Sequence, residues 1–195
     1  MTRIIAGRLG GRRLATPRGD ATRPTSERVR EAVFSRIESL MDLTDARVLD
    51  LYAGSGALGL EAVSRGAGFA VLVDSDRRTA RLVESNIADL DLGTVAVARA
   101  EKVDRLLERG PGGPPFDLVL LDPPYPLGEA ELTGNLQRLT EHGWLTGEAL
   151  VVIERSGRSP DPALPPGLVS VGSRRYGETT VHFVEPGERR VTPAD

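Results

Sequence analysis

A short strand followed by a glycine-rich turn and a helix is the pattern that most restricts the fold of this chain. Residues 48–62, VLDLYAGSGALGLEA, place Gly54, Gly56 and Gly59 in the spacing G-x-G-x-x-G directly after an apolar run. Glycine lets the backbone turn sharply and approach a bound molecule closely, so this spacing between a strand and a helix is typical of nucleotide-binding loops in α/β proteins. The segment therefore predicts a binding loop at the carboxyl end of a parallel strand.

Strands and helices continue to alternate through most of the sequence. Apolar runs predict strands at 48–51, 70–73, 94–97, 118–121 and 149–154, and helical spacing predicts helices at 58–64, 77–90, 103–107 and 129–141. This alternation indicates an α/β fold with a doubly wound parallel sheet, and uncharged runs such as 118–121 are typical of strands covered on both faces. Two further runs, 169–173 and 179–184, predict a closing hairpin that brings one antiparallel strand into the sheet.

The N-terminal region has a different character. Residues 3–6 and 12–15 predict a small β-hairpin joined by glycines, and Ser26 is placed to cap a helix that runs to about Leu40. The sequence contains neither an internal repeat nor an interdomain linker. We expect residues 1–40 to form this hairpin and helix extension, residues 41–185 the main domain, and residues 186–195 a frayed tail.

Positive charge is concentrated at the N-terminus. Residues 1–30 contain eight arginines against Asp20 and Glu27, a net charge of +6, whereas the whole chain carries −3. The remaining 165 residues therefore carry −9. We call residues 1–30 the basic head. A basic segment joined to an acidic remainder indicates that a polyanion binds at one end of the molecule.

Composition excludes several kinds of site. The chain has no cysteine, which rules out disulfides, cysteine–zinc sites and thiol nucleophiles, and its two histidines are too few for a multi-histidine metal site, so we expect no metal. No apolar run approaches the roughly 20 residues that a membrane helix needs. Charges interrupt the N-terminus where a secretion signal requires an apolar stretch. We therefore expect a soluble, cytoplasmic protein with no membrane partner.

Two acidic residues flank the glycine loop. Asp74 follows Gly54 by 20 positions at the end of the next predicted strand, where a carboxylate can accept hydrogen bonds from both ribose hydroxyls of a cofactor. This spacing fits a nicotinamide dinucleotide as well as it fits S-adenosylmethionine. Asp50 favours the second cofactor, because a carboxylate four residues before Gly54 repels a pyrophosphate and attracts an ammonium and a sulfonium.

The tetrad Asp122-Pro123-Pro124-Tyr125 follows the strand predicted at 118–121. Two prolines cannot continue a central strand, and they hold the backbone extended at the edge of the sheet where open α/β folds bind ligands. Asp122 and a proline carbonyl can accept both N–H groups of a ring-attached amine, and Tyr125 can stack on the ring at a gain of roughly 1–3 kcal/mol. Those contacts suit transfer of a methyl group to the exocyclic amine of a base that has left its helix.

With these motifs, the chain resembles the RsmD-like family of bacterial small-subunit ribosomal RNA guanine-N2 methyltransferases over about residues 3–184. The resemblance rests on RIIAGRLGGRRL near the start, TRPTSERVREAVF at 22–34, LDLYAGSGALGLEAVSRGA at 49–67, LVLLDPPY at 118–125 and YGETTVHF at 176–183. It implies a Rossmann-like, seven-stranded methyltransferase fold that uses S-adenosylmethionine. The glycine loop and the tetrad alone indicate only an amino-methyltransferase, and the N-terminal segments narrow the prediction to this family.

The resemblance also implies roles for individual residues. Asp122, Pro123, Pro124 and Tyr125 match the catalytic tetrad. The cofactor-binding positions are Asp50, Gly54, Ser55 and Gly56 for the methionine part, Asp74 for the ribose, and Arg23 and Thr25, on either side of Pro24, over the amino-acid end. The family usually has Asp or Asn after the third strand of the domain to accept from the adenine amino group, and Glu101 stands there in this chain.

These observations predict an enzyme that methylates the exocyclic N2 of one guanine in small-subunit ribosomal RNA, within the assembled small subunit and as a monomer. Five arginines of the basic head are the expected RNA contacts: Arg3, Arg8, Arg12, Arg13 and Arg18. DNA adenine N6-methyltransferases carry the same tetrad, so methylation of adenine in DNA or in another RNA is the alternative. A nicotinamide-dependent oxidoreductase and a noncatalytic RNA-binding protein are further interpretations that the residues leave open.

Overall fold

A computed structural model describes residues 2–17, 27–124 and 127–187. The helices are α1 (Glu27–Leu40), α2 (Ala57–Ser64), α3 (Arg77–Asp89), α4 (Val103–Glu108) and α5 (Glu129–Glu141). The strands are β1 (Thr2–Arg3), β2 (Arg13–Leu14), β3 (Arg47–Leu51), β4 (Phe69–Asp74), β5 (Ala96–Ala100), β6 (Phe116–Leu121), β7 (Leu145–Ser156), β8 (Leu168–Tyr176) and β9 (Thr179–Pro186). Among the described residues, no helix is both long enough and apolar enough to cross a membrane.

The centre of the molecule is a seven-stranded sheet in the order β5-β4-β3-β6-β7-β9-β8. Strands β5, β4, β3, β6 and β7 are parallel, and β9 runs antiparallel to both of its neighbours. The prediction of a parallel α/β sheet with one antiparallel strand from a closing hairpin is therefore confirmed. The strand order changes direction between β3 and β6, and the crevice outside the carboxyl ends of the strands at such a point is where open α/β sheets bind ligands.

The register of the three central strands brings acidic residues together. Asp50 of β3 lies opposite Leu72 of β4 and Leu120 of β6. Asp74 and Asp122 therefore each lie two residues beyond Asp50, roughly 7 Å further along the strand direction, on the strands to its two sides. A single edge of the sheet carries all three carboxylates.

Helices cover both faces of the sheet and bury two apolar clusters. On one face, residues of α1, α2 and α3 pack with Ile4 and Leu14 of the N-terminal hairpin. On the other face, residues of α4 and α5 pack around Trp144, whose indole N–H donates a hydrogen bond to the carbonyl of Leu107 at 2.8 Å. Ile4 and Leu14 are fully buried, so the hairpin contributes to the same core as the sheet.

The N-terminal hairpin is fastened to α2. Strands β1 and β2 pair antiparallel, and the carboxylate of Glu61 accepts hydrogen bonds from the backbone N–H groups of Ile5 at 2.7 Å and Ala6 at 3.0 Å. A Cβ atom at Gly7 would lie 2.0 Å from the carbonyl oxygen of Ser64, so only glycine permits this approach of the hairpin to the helix. The hairpin is thus held against the domain at defined positions.

The Glu61 carboxylate is fully buried and lies among cations. The guanidinium of Arg65 binds it at 2.8 Å and also pairs with Glu31 and Glu38 of α1, while Arg30 of α1 lies 3.9 Å away. A buried charge is tolerated only when it is paired and hydrogen-bonded, and Glu61 satisfies both conditions. This network joins α1, α2 and the hairpin into one unit.

Several strand boundaries differ from the predicted ones, and β8 extends three residues beyond its predicted end, to Tyr176. The strand predicted at 94–97 is β5, which runs from Ala96 to Ala100 because its pairing with β4 continues to the end of that strand at Asp74. Its second half is largely exposed at the edge of the sheet, so no apolar run marks it. Strand β7 is twice as long as predicted, with 12 residues. It begins four residues earlier, where Leu145 pairs with Phe116 of β6, and it ends two residues later, where Arg155 and Ser156 still pair with β9.

Candidate active site

The glycine loop between β3 and α2 is tied to the end of the neighbouring strand. The N–H of Ala53 donates to the carbonyl of Val73 at 2.8 Å, and the N–H of Gly54 donates to Oδ2 of Asp74 at 3.1 Å. Gly54 and Gly56 have φ values of +55° and +79°, a region that favours glycine. The loop is therefore a rigid turn whose position depends on the side chain of Asp74.

The glycines of the loop have different surroundings. A Cβ at Gly59 would lie 2.9 Å from Cδ2 of Leu72 and 3.1 Å from Cβ of Asp50, so this glycine allows α2 to pack closely on the sheet. A Cβ at Gly54 would have nothing within 4 Å. The space over Gly54 is open, as a loop that a ligand approaches closely requires.

Asp50 is a buried carboxyl group with one unused acceptor. Its Oδ2 accepts a hydrogen bond from the N–H of Gly59 at 2.8 Å, and its buried Oδ1 has no hydrogen-bond partner among the described residues. Burial raises the pKa of Asp50 to about 7, the Gly59 hydrogen bond opposes this, and the negative charges of Asp122 and Asp74 add to it. A cation placed beside Oδ1 would favour the ionised form of this carboxyl.

Asp74 ends β4 and uses both carboxylate oxygens to shape the backbone. Oδ1 accepts from the N–H of Asp76 at 2.9 Å, and Oδ2 accepts from Gly54. Asp76 in turn caps α3, with Oδ1 accepting from the N–H groups of Arg78 and Thr79 at 2.8 Å each. The side chain of Asp74 is partly exposed at the mouth of the loop, where it can also accept from ligand hydroxyls.

The tetrad follows β6 at the same edge. Asp122 is partly buried, Pro123 is buried and Pro124 is exposed, while Tyr125 lies outside the described residues. The carbonyl of Pro124 accepts a hydrogen bond from the N–H of Leu127 at 2.9 Å. The structure therefore brings Asp122 and the two prolines beside Asp50 and the glycine loop.

Glu101 follows β5 directly beside Asp74. Its N–H donates to the carbonyl of Asp74 at 2.9 Å, and its carboxylate forms an ion pair with Arg109 at 2.5 Å. A ligand amino group that bound Glu101 would compete with Arg109 for the carboxylate. The cofactor-binding role of Glu101 stays a prediction, and the sequence pattern does not indicate that its carboxylate already pairs with Arg109.

The five predicted RNA-binding arginines fall into three groups. Arg3 pairs with Glu27 at 2.6 Å, and Arg12 donates to the carbonyl of Asp89 at 2.7 Å. The side chains of Arg8 and Arg13 are exposed and form no hydrogen bond or ion pair with the described residues. Arg18 lies outside the described residues, and so do Arg23 and Thr25, which the resemblance places over the cofactor.

Two buried amides also shape the site, and no motif marks either of them. Asn86 of α3 donates to the carbonyls of Ser55 at 2.9 Å and Ala15 at 3.0 Å, and accepts from the N–H of Ala15 at 2.9 Å. Asn135 of α5 donates to the hydroxyl of Tyr52 at 2.8 Å. Each contact joins residues at least 31 positions apart, and only the folded chain brings them together.

The arrangement defines the ligand that it can hold. The unused oxygen of Asp50 requires a donor, ideally a cationic one, and the carboxylate of Asp74 suits vicinal hydroxyls. Asp122 offers a further acceptor at the same edge. Within the described ranges, no group of three or more His, Cys, Asp and Glu side chains is arranged to hold a metal ion.

Comparison with known proteins gives consistent matches over nearly the whole chain. The family model described as Conserved hypothetical protein 95 matches residues 2–185. Ribosomal RNA small subunit methyltransferase D of Escherichia coli strain K12 is 39% identical over 163 residues, which cover 84% of this chain and 79% of that protein. The protein of the same name from Haemophilus influenzae is 34% identical over 160 residues, which cover 81% of this chain and 80% of that protein.

The fold is shared with solved structures. The structure of yhhF from Escherichia coli is 32% identical, covers 94% of this chain and 97% of its own, and superposes with a TM-score of 0.82. The prediction of a Rossmann-like, seven-stranded methyltransferase fold is therefore confirmed.

Proposed function

This chain belongs to the family described as Conserved hypothetical protein 95, the RsmD family, and we propose that it transfers a methyl group from S-adenosylmethionine to the exocyclic N2 of a guanine in small-subunit ribosomal RNA. The relatives named ribosomal RNA small subunit methyltransferase D support the reaction class and the RNA. The observation that carries the proposal is the register of β3, β4 and β6, which gathers Asp50, Asp74 and Asp122 around the glycine loop.

The residues present fit S-adenosylmethionine. Oδ1 of Asp50 provides the acceptor that the ammonium needs, Asp74 suits the ribose hydroxyls, and the open space over Gly54 leaves room for the methionine part. Bound in this way, the cofactor supplies an electrophilic methyl group. The negative charges of Asp74 and Asp122, joined by that of Asp50 when a cation lowers its pKa, favour a cationic ligand over a pyrophosphate, which argues against a nicotinamide dinucleotide.

Asp122 orients the target amine in this proposal. The lone pair of an amine attached to an aromatic ring is delocalised into the ring, so the nitrogen is a poor nucleophile. Asp122 and a proline carbonyl accept the two N–H groups and thereby favour a pyramidal nitrogen with its lone pair available. The carbonyl of Pro124 already accepts from Leu127, so the carbonyl of Pro123 is the better second acceptor. As the new N–C bond forms, one amine proton becomes acidic and passes to Asp122.

The basic head selects the substrate in this proposal. Residues 1–40 supply the RNA-binding extension and residues 41–185 the catalytic domain. Arg8 and Arg13 are exposed cations of the N-terminal hairpin whose side chains have no described partner, and phosphate contacts from such residues position a nucleic acid. Proximity of the bound base and the methyl donor then supplies most of the rate gain.

The proposal is tested with Asp122→Asn, which preserves the size of the side chain. Small ribosomal subunits from a strain that lacks this protein are incubated with the parent or the variant, and the ribosomal RNA nucleosides are measured by mass spectrometry. The parent is expected to form N2-methylguanosine, and the variant to be slower by about 10²–10⁴-fold, the usual contribution of a positioned acid–base group. Binding of S-adenosylhomocysteine is expected to persist in the variant.

The outcomes separate the candidate functions. Formation of N6-methyladenine in duplex DNA, with no change in ribosomal RNA, would favour the DNA methyltransferase alternative. Full activity of Asp122→Asn would remove Asp122 from the mechanism. Failure of the parent to bind S-adenosylhomocysteine would overturn the whole proposal.

A further inference from the structure

Asn86 links the N-terminal hairpin to the glycine loop. The residue lies on the inner face of α3 and is almost completely buried. Its Nδ2 donates one hydrogen bond to the Ala15 carbonyl and one to the Ser55 carbonyl, and its Oδ1 accepts from the Ala15 N–H, all at 2.9–3.0 Å. Both amide hydrogens are used, so the residue type is specified: a carboxylate lacks the donors and an aliphatic side chain lacks every contact.

The two partners of Asn86 belong to different functional parts. Ala15 directly follows β2, the strand that carries Arg13, and lies three residues after Arg12. Ser55 stands between the two glycines with positive φ in the loop. The direction of the Ser55 carbonyl, and with it the turn of the loop, is therefore set by an amide that also holds the hairpin strand.

The contacts along α3 show that the hairpin strand follows this helix toward the loop. Arg12 donates to the carbonyl of Asp89 at the end of α3, and Ala15 bonds to Asn86 one turn earlier in the helix. A displacement of the strand by bound RNA thus acts on the residue that fixes the Ser55 carbonyl.

We propose that Asn86 is a positioning residue that couples RNA binding at the hairpin to cofactor binding at the glycine loop. This inference rests on the proposed function. The Asn86 amide bonds both the hairpin that binds RNA and the loop that binds the cofactor. When one ligand fixes its own segment, Asn86 is held in place, and the binding site of the other ligand is ordered in advance. Such coupling is reciprocal, and coupling of this kind typically changes affinities by about 5–150-fold. The RNA and the cofactor therefore each strengthen binding of the other.

The test measures the dissociation constant of unmethylated small ribosomal subunits by filter binding, without and with saturating S-adenosylhomocysteine. For the parent, we expect S-adenosylhomocysteine to tighten subunit binding by about 5-fold or more. Two variants interrupt the link from opposite sides. Ala15→Pro removes the backbone N–H that Asn86 accepts and leaves the bond to Ser55 in place, whereas Asn86→Asp removes both donors.

Each variant has a distinct expected result. Ala15→Pro is expected to bind S-adenosylhomocysteine alone within about 2-fold of the parent but to lose the tightening of subunit binding. Asn86→Asp is expected to lose the tightening and also to bind S-adenosylhomocysteine about 5-fold more weakly or worse, because the Ser55 carbonyl is released. Ser85→Ala, at an exposed neighbour on the same helix, is the matched control and is expected to behave as the parent.

Thermal unfolding of every variant shows whether a loss reflects unfolding, and Ala15→Pro keeps the test valid if Asn86→Asp does not fold. Equal subunit affinity with and without S-adenosylhomocysteine in the parent would overturn the coupling, and so would full tightening in Ala15→Pro. These outcomes leave the proposed reaction intact, whereas a parent that binds no S-adenosylhomocysteine would overturn the reaction and the coupling together.

Discussion

The hydroxyl of Tyr52 accepts a hydrogen bond from the side-chain amide of Asn135 at 2.8 Å, and this contact connects the loop after β3 to helix α5. Tyr52 belongs to the loop that follows β3, and Asn135 belongs to α5, the helix that follows the Asp122–Pro124 segment. Burial, reinforced by the charge of Glu131, raises the pKa of the Tyr52 phenol, so it stays protonated at neutral pH. The contact holds the loop of the cofactor site against the helix that supports the tetrad.

Tyr52→Phe is expected to destabilise the protein by about 1–3 kcal/mol, because it leaves the buried Asn135 amide without its acceptor. Urea denaturation measures the effect. The double variant Tyr52→Phe with Asn135→Leu replaces both partners by apolar groups and is expected to recover most of the loss. An unchanged urea midpoint in the single variant would show that the hydrogen bond contributes nothing to stability.

The pKa of Asp50 makes stability depend on pH in a defined direction. Burial raises the folded-state pKa to about 7 from an ordinary value of 3.8. Between those values the unfolded chain releases the proton and the folded chain keeps it, so stability falls as pH rises through this window and is constant above it. The total loss is roughly 4 kcal/mol, because each pH unit between the two pKa values corresponds to about 1.4 kcal/mol.

Asp50→Asn removes this titration and keeps the acceptor for the Gly59 N–H. The free energy of unfolding of the variant, relative to the parent, is expected to rise between pH 5 and pH 8. Urea titrations at a series of pH values measure the free energy of unfolding of the variant and of the parent. Subtracting one from the other at each pH cancels the contributions of the other titrating groups. A difference that does not vary with pH would mean that Asp50 has an ordinary pKa.

Cofactor binding is expected to release protons from Asp50 near pH 7. A cation beside Oδ1 lowers the pKa of the carboxyl, so the fraction that is protonated in the free protein gives up its proton on binding. Calorimetry of S-adenosylhomocysteine binding in two buffers of different ionisation enthalpy measures the number of protons. Asp50→Asn serves as the control, and the same proton release in that variant would assign the proton to another group.

Two alanine substitutions in the glycine loop are expected to differ in their main effect, one on ligand binding and the other on stability. Gly54→Ala points a methyl group into open space at φ +55°, so it costs only the strain of that conformation, about 1–2 kcal/mol, but obstructs the ligand. Gly59→Ala overpacks the contact with Leu72 and costs about 1–3 kcal/mol. We expect Gly54→Ala to weaken binding of S-adenosylhomocysteine at least tenfold and Gly59→Ala to act mainly on the thermal midpoint. An equal loss of S-adenosylhomocysteine binding in the two variants would contradict the proposal that the ligand occupies the open space over Gly54.

Neutralising Arg8 and Arg13 together is expected to reduce the salt dependence of ribosomal subunit binding. Each lost phosphate contact lowers the slope of log affinity against log salt by about 0.7–0.9, so the pair is expected to remove about 1.4–1.8. Arg105→Ala on α4, an exposed arginine on the other face of the sheet, is the control for the loss of a surface charge elsewhere and is expected to leave the slope unchanged. An unchanged slope in the double variant would show that the basic head does not contact phosphates.

The sequence predicts the parts of the site that depend on strand ends. Asp74 and Asp122 stand at the ends of apolar runs and Asp50 stands one residue before the end of β3, so their common edge is predictable because neighbouring parallel strands end together. The chemistry of their surroundings is not predictable in the same way. The unused oxygen of Asp50 and its raised pKa follow from burial by α2, which depends on how closely Gly59 lets that helix approach.

The buried polar contacts required the structure. Asn86 and Asn135 stand in helices with no local motif, and their partners are 71 and 83 residues away in sequence. An asparagine on the apolar face of a helix indicates only that some partner exists. The burial of Glu61 has no sequence signal either, since its position in a helix is equally compatible with an exposed salt bridge.

The attachment of the hairpin to α2 is independent of the side chains of Arg8 and Arg13, which we propose bind RNA. The anchor uses a glycine at position 7 and two backbone N–H groups facing Glu61, none of which depends on the residues at the tip or on the exposed side of β2. Arg8 and Arg13 can therefore be replaced without loss of the contacts to α2, whereas Gly7 cannot. A hairpin transferred from another protein would fit this domain only if it kept Gly7 and the two backbone N–H groups that bind Glu61. In our proposal, a change of substrate therefore requires new charged side chains on the exposed surface of the hairpin and no change in its attachment.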